Sequence, residues 1–167
     1  GKASLGWDGV DRPSAAMTAE HHPSEEPMSL ESLCALAVKL QQGTAKTSRP
    51  PQQVMDVVLA AFVAHNLPRG GFAQLFFNAR GAHLAEIAQM LQNFKASNTL
   101  HFYEEAVRVC LADKQAYQDF LGGDFVSASP FKNALHKVSL GYFATATSFA
   151  DEAQPLLGQA CAVAERW

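Results

Sequence analysis

The chain lacks most of the features by which a sequence declares its chemistry. No apolar run approaches the roughly 20 residues that a membrane-spanning helix needs, and no charged-then-apolar signal segment opens it. Charge is scarce: only 17% of residues are charged and the net charge is -3. A nucleic-acid binder usually shows a dense basic face, so direct nucleic-acid binding is not expected. Cysteine is scarce as well. Cys34, Cys110 and Cys161 form no C-x-x-C pair, and an odd count leaves one of them unpaired. Each sits among Ala, Leu and Val, so all three read as buried free thiols, which favours a reducing compartment, the cytoplasm. Cys110 lies in an apolar stripe, poorly placed for a low thiol pKa.

Catalytic signatures are missing too. There is no G-x-x-x-x-G-K-[ST] loop, no G-x-G-x-x-G after a strand, no G-x-S-x-G elbow and no H-E-x-x-H pair. The expectation is a protein that is not an enzyme and carries no cofactor and no metal. A convincing period-2 strand is also absent, apart from a weak candidate at Asp124 to Ser127, and no repeat is evident.

What remains is apolar and helical. Hydrophobic residues make up 48% of 167 positions, enough to bury a real core in one domain. Residues 1–27 stand apart, with Gly and Pro among polar residues and no sustained period. They read as a flexible leader, in part a remnant of expression since the chain does not begin with Met, with Trp7 its one potential anchor. Residues 28–167 then read as an all-α domain, an irregular bundle of about seven helices. Ser29 caps a helix carrying Leu33, Leu36, Ala37 and Leu40, with Gly43 as its stop. Pro51 opens a second helix through Val54, Val57, Val58, Ala61 and Phe62, broken by Pro68 and Gly70-Gly71. A short helix follows to about Asn78, with Phe72, Leu75 and Phe76 on one face. Others run from about Ala82 to Phe94 (Ala85, Ala88 and Leu91 inward) and from about Thr99 to Leu111 (Phe102, Ala106, Val109 and Cys110). Asp113 caps the next, which Gly122-Gly123 stops. After Ser129-Pro130 comes a helix with Leu135, Val138, Tyr142 and Phe143 inward. The last spans about Asp151 to Trp167, with Pro155 in its first turn.

The stretch Arg69-Gly70-Gly71-Phe72-Ala73-Gln74-Leu75-Phe76-Phe77-Asn78-Ala79-Arg80-Gly81 is the most distinctive in the chain. It resembles the Gly-Gly-Phe-x-Gln-Phe-Phe-x-Asn signature of the bacterial family typified by DNA-mimic protein nineteen, most of whose members are filed as a domain of unknown function. The likeness extends over roughly residues 51 to 145. It implies an all-α fold and, for the type member, binding to a protein that normally contacts DNA. A phosphate mimic needs strong single-sign charge, since a duplex carries one charge per roughly 1.7 Å of axis. Residues 51–167 hold ten acids against eight Lys and Arg, and no acidic run exceeds two residues. A protein partner recognised by some other surface is therefore the better expectation.

Within the motif, the glycine pair permits positive φ and close approach to a neighbour. Each phenylalanine buries apolar area worth on the order of 2 kcal/mol. Gln74 and Asn78, four apart, share a face and either satisfy backbone freed at the break or meet a ligand. His65 and His83 flank the motif with Arg69 and Arg80, and a pocket there would suit an anion; histidine is also a common helix cap. His65, Arg69, Gln74, Asn78, Arg80 and His83 are thus the candidate partner- or ligand-binding residues. His101 and Glu105, at i and i+4, share a face in metal-ligand or acid–base spacing, but no third ligand stands at an obvious spacing, so they read as an exposed helix start. The expected function is that of a cytoplasmic protein-binding inhibitor, of regulatory or toxin-immunity type, acting by occluding a partner's surface. The alternative is a small-ligand or anion-binding, enzyme-like pocket near Gly70-Gly71. A homodimer is left open, because nearly every helix carries an apolar stripe.

Overall fold

A computed structural model describes residues 28–44 and 50–167; the leader, residues 1–27, lies outside the described residues. Among the described residues the chain forms seven α-helices and no strand: α1 (Leu30–Thr44), α2 (Gln52–Ala79), α3 (Leu84–Asn93), α4 (Ser97–Ala112), α5 (Lys114–Gly122), α6 (Pro130–Ala144) and α7 (Phe149–Glu165). The all-α irregular bundle expected from the sequence is what is found.

α2 is the spine. Its run from Val57 to Leu67 is buried without interruption, because the sequence there is apolar all round rather than on one stripe, and such a helix finds no water-facing side. α1, α3, α6 and α7 pack around it. The expected stripe of Val54, Val57, Val58, Ala61 and Phe62 is buried, but so are Leu59, Ala60 and Val63 between them.

Several local expectations need correction. Pro68 does not break α2: the helix runs through it, and the non-helical residues are Gly70 (φ -132°, ψ 16°) and Gly71 (φ 66°, ψ -159°), after which the helix resumes. Pro68 removes one backbone donor, and its ring sits on the exposed side of the helix. Gly43 lies inside α1, where it makes room for the Trp167 indole; a Cβ there would come within 2.9 Å of the ring. Ala85 is exposed, and α3 buries Ile87, Met90 and Leu91 instead. Phe143 is exposed rather than inward. α7 starts two residues earlier than expected, because Ser148 and Asp151 form a reciprocal capping box, and this leaves Pro155 inside the helix. Asp124 to Ser127 is a turn, not a strand: Asp124 accepts from Ser127 N–H at 2.6 Å. The caps foreseen at Ser29 and Asp113 are present, and Ser129 adds a third at the start of α6.

The N-terminus of α4 is capped from another helix. No side chain of its own caps it. Glu152 of α7 accepts from Asn98 N–H at 2.8 Å, Thr99 N–H at 2.9 Å and Thr99 Oγ1–H at 2.7 Å. Thr99 Oγ1 also bonds Tyr142 Oη at 2.9 Å, and Tyr142 Oη accepts from Phe149 N–H at 2.8 Å. One carboxylate thereby satisfies the orphan amides of α4 and ties α4, α6 and α7 together. Replacing Glu152 by Ala should cost about 2–3 kcal/mol in urea unfolding, and by Gln about half that. An Ala variant within about 0.5 kcal/mol of wild type would show that the cap is idle.

The three cysteines are buried and free. Burial pushes the Cys110 thiol up to about 12 and, with a small addition from Glu165, the Cys161 thiol up to about 11; Cys34 is also raised by burial, against a smaller opposing pull from Arg69. Above pH 9 the unfolded chain ionises its thiols while the folded chain does not, so this stability is complete below 9 and declines as pH rises towards 11 to 12. The urea midpoint should hold level to about pH 8 and fall from about pH 9 upward, less steeply in the Cys110→Ala/Cys161→Ala variant. Equal slopes for the two proteins would refute the assignment.

Candidate functional site at the helix break

The break in α2 is built by two glycines with different tasks. Gly71 has the φ/ψ combination that only glycine adopts freely. A Cβ on it would lie 2.4 Å from Ser139 Oγ. That absence lets Phe72 N–H donate to Ser139 Oγ at 2.9 Å, while Ser139 Oγ–H donates to Leu135 O at 3.1 Å. The amide left without a helical partner by the break is thereby satisfied by α6. At Gly70 the neighbour is Gln74, whose Oε1 would be 2.4 Å from an added Cβ.

Gln74 and Asn78 converge, though not on backbone. Gln74 Nε2 donates at 3.1 Å and Asn78 Nδ2 at 2.6 Å to the same atom, Asn66 Oδ1, and Asn66 Nδ2 donates to Phe62 O at 2.9 Å. Asn66 is fully buried. This amide triad spans the break and fixes the two halves of α2 against each other. Asn66 was not singled out from the sequence; its one signal is a polar residue within an otherwise apolar run. The same holds for Asp56, buried on α2, which accepts from Gln52 Nε2 and Asn93 Nδ2, each at 2.8 Å, and so ties α3 to the spine.

The other candidates do not gather with the triad. His65 is buried on α2, Arg69 is exposed just before the break, and His83 takes the left-handed position before α3 (φ 63°). Arg80 caps α2 in a left-handed conformation (φ 56°), its N–H donating to Phe76 O and Phe77 O, with its guanidinium 5.3 Å from the centre of the Phe77 ring. None of the six lines any of the three cavities described among these helices. His101 and Glu105 lie 3.4 Å apart on the surface of α4. Among the described residues, no three His, Cys, Asp or Glu side chains stand close enough to hold a metal ion.

The phenylalanines after the break organise the rest of the core. Phe72 meets Tyr142 of α6 edge-on, with ring centres 5.7 Å apart. Phe76 meets Tyr103 of α4 at 5.8 Å and Tyr117 of α5 at 6.4 Å. Phe77 meets Phe120 of α5 at 5.5 Å and Phe125 of the following loop at 5.4 Å. Three phenylalanines within about two helical turns thus address α4, α5, α6 and the loop after α5. The Tyr117 hydroxyl is buried beside this cluster without a hydrogen-bond partner, and burial pushes its pKa up to about 12.

A glycine break, an amide triad across it and phenylalanines fanning out from it make one structural unit, and its sequence is what relates the chain to known proteins. The profile of the DMP19-like protein family matches residues 49–152. The chain belongs to the DMP19-like family. No curated protein and no solved structure is matched by it. The family match spans α2 through the start of α7 and so includes the spine, the break and every helix the phenylalanines reach.

Gly71→Ala should destabilise this DMP19-like chain by at least about 3 kcal/mol, from the unfavourable φ and the collision with Ser139. Gly158→Ala, in open space within α7, should instead stabilise it by up to about 1 kcal/mol. Matched urea midpoints for these two variants would overturn the account of the break.

Proposed function

We propose that the protein binds another protein and blocks it by covering part of its surface, as a regulator or as the immunity partner of a toxin, with no catalytic step of its own. The observation that carries this reading is what the motif's residues are used for. Phe72, Phe76 and Gly71 are buried, and Gln74 and Asn78 are tied to Asn66, so the signature of the family works as a scaffold. The surface offers large apolar side chains instead: Leu111, Val126, Leu140 and Phe143 are exposed, and such side chains gathered beside grooves mark contact surfaces more often than reaction centres. Three buried free thiols support a cytoplasmic setting. No helix among the described residues is long and apolar enough to cross a membrane.

Affinity purification of the tagged full chain from its native host should recover one partner in near-stoichiometric amount. The purified pair should re-form a complex, and the partner should lose its own activity in that complex. Repeated purifications that yield nothing above background, or a partner whose activity is unchanged when bound, would end this reading. A toxin encoded next to this chain would favour immunity over regulation.

A further inference from the structure

A groove of about 590 Å³ opens between the end of α4, α5, the loop of residues 123–129 and the start of α6. Phe120, Phe131 and Val109 are among the apolar side chains that line it, and Asp113, Asp119 and Asp124 stand along it. No Lys, Arg or His lines it. Lys132 of α6 is engaged beside it: its ammonium donates to Phe125 O, lies 4.2 Å from the centre of the Phe125 ring, and makes a small contribution to lowering the Asp124 carboxyl. One more apolar side chain flanks the opening: Val126, between the lining residues Asp124 and Ser127, is 88% exposed.

The carboxylates have local duties that do not require their charge. Asp113 caps α5 through Ala116 N–H, and Asp124 holds its turn through Ser127 N–H and Oγ–H. Asn serves such positions about as well as Asp. Asp119 accepts only from the exposed Gln115. The Ser127 hydrogen bonds, with a smaller pull from Lys132, hold the Asp124 carboxyl below its usual range, and Asp113 faces the α5 N-terminus, whereas the charge of Asp119 has no such local support. The three carboxylates do not draw close enough to hold a metal ion. An apolar floor with a single-sign rim suits an amphipathic cation, whose stem lies on rings while its charge reaches the rim. A groove of this size holds more than one side chain, and the exposed Val126 extends the apolar contact beyond it.

We propose that this groove receives a segment of a partner protein carrying Arg or Lys beside apolar side chains, the stems on Phe120 and Phe131 and the cations at Asp113, Asp119 and Asp124. This rests on the protein-binding reading and names the surface and the chemistry of the partner.

The test uses the full chain, ¹⁵N-labelled, and a short fluorescent peptide of Arg-Leu-Trp-Arg, with a citrulline version as its neutral counterpart. The basic peptide should shift amide signals of residues 109–134, bind more weakly as salt rises, and outbind the citrulline peptide. Asp113→Asn/Asp119→Asn/Asp124→Asn, which keeps the caps, should weaken binding at least about five-fold. Ala134→Trp, which fills the groove, should abolish it, and Glu104→Gln/Glu105→Gln, elsewhere on α4, should change nothing. The proposal falls if no signals shift by about 1 mM peptide, if the Glu104/Glu105 variant weakens binding as much as the groove variant, or if the citrulline peptide binds equally. It also falls if 4-phenylbutylamine binds as tightly as the peptide, which would make this a small-molecule site. A native partner that binds the groove variants like wild type would overturn the groove and leave the protein-binding reading intact. Peptide binding in the groove with no native partner recovered would overturn that reading and leave the groove standing.

Discussion

The amide of Phe72 donates to Ser139 Oγ, and that contact exists only because Gly71 carries no side chain. Much of the fold depends on it. An unbroken α2 would carry Phe72, Phe76 and Phe77 onward along one straight axis, spaced by the helical repeat. The turn of the backbone at Gly70 and Gly71 swings the second half of α2 against α6, and the same three rings then reach α4, α5, α6 and the loop after α5. The amide triad at Asn66 makes the bend a fixed angle, since Gln74 and Asn78 from beyond the break share one acceptor before it. A buried polar network of this kind is stabilising only when its geometry is met, so it penalises any other bend.

A second constraint holds the far side of the bundle. α4 begins without a side chain of its own able to cap it, and Glu152 arrives from α7 to take that place. The hydroxyls of Thr99 and Tyr142 continue the chain of donors to the first amide of α7. Two helix N-termini are thereby satisfied by one connected set of groups, so α4 and α7 depend on each other's placement. The spine in α2 is held by apolar contact and this side by polar contact. The first tolerates conservative exchange of volume, whereas the second does not tolerate loss of an acceptor.

How much of this was legible follows from the range of each interaction. Caps at Ser29 and Asp113 lie within three residues of the groups they bond, and sequence revealed them. The glycine pair revealed the break, because no other residue is as permissive. Pro68 misled, since proline's effect on a helix depends on whether its carbonyl partner faces water, which tertiary packing decides. Phe143 misled because it stands one residue before the end of α6, where its ring is left 44% exposed although it still touches Tyr142. Asn66, Ser139 and Glu152 were invisible. Their partners lie 8 to 67 residues away, and nothing local to an Asn, a Ser or a Glu reports a distant amide. The six candidate residues were chosen by proximity to the motif in sequence, and the fold brings Gln74 and Asn78 together at Asn66.

The motif and the acid-rimmed groove are joined by one side chain. Phe77, from the second half of α2, touches both Phe120, which lines the groove, and Phe125, which anchors the loop carrying Asp124 and Val126. Phe125 in turn takes the Lys132 ammonium on its ring and its carbonyl, which occupies that cation beside the rim. The angle of the glycine break thus sets where Phe77 falls, and Phe77 sets the floor and one wall of the groove. No residue of the motif itself lines the groove. The motif can therefore shape a surface that it does not itself line: it fixes the bend, the bend fixes the aromatic ladder, and the ladder holds the groove's apolar floor and its carboxylates in register.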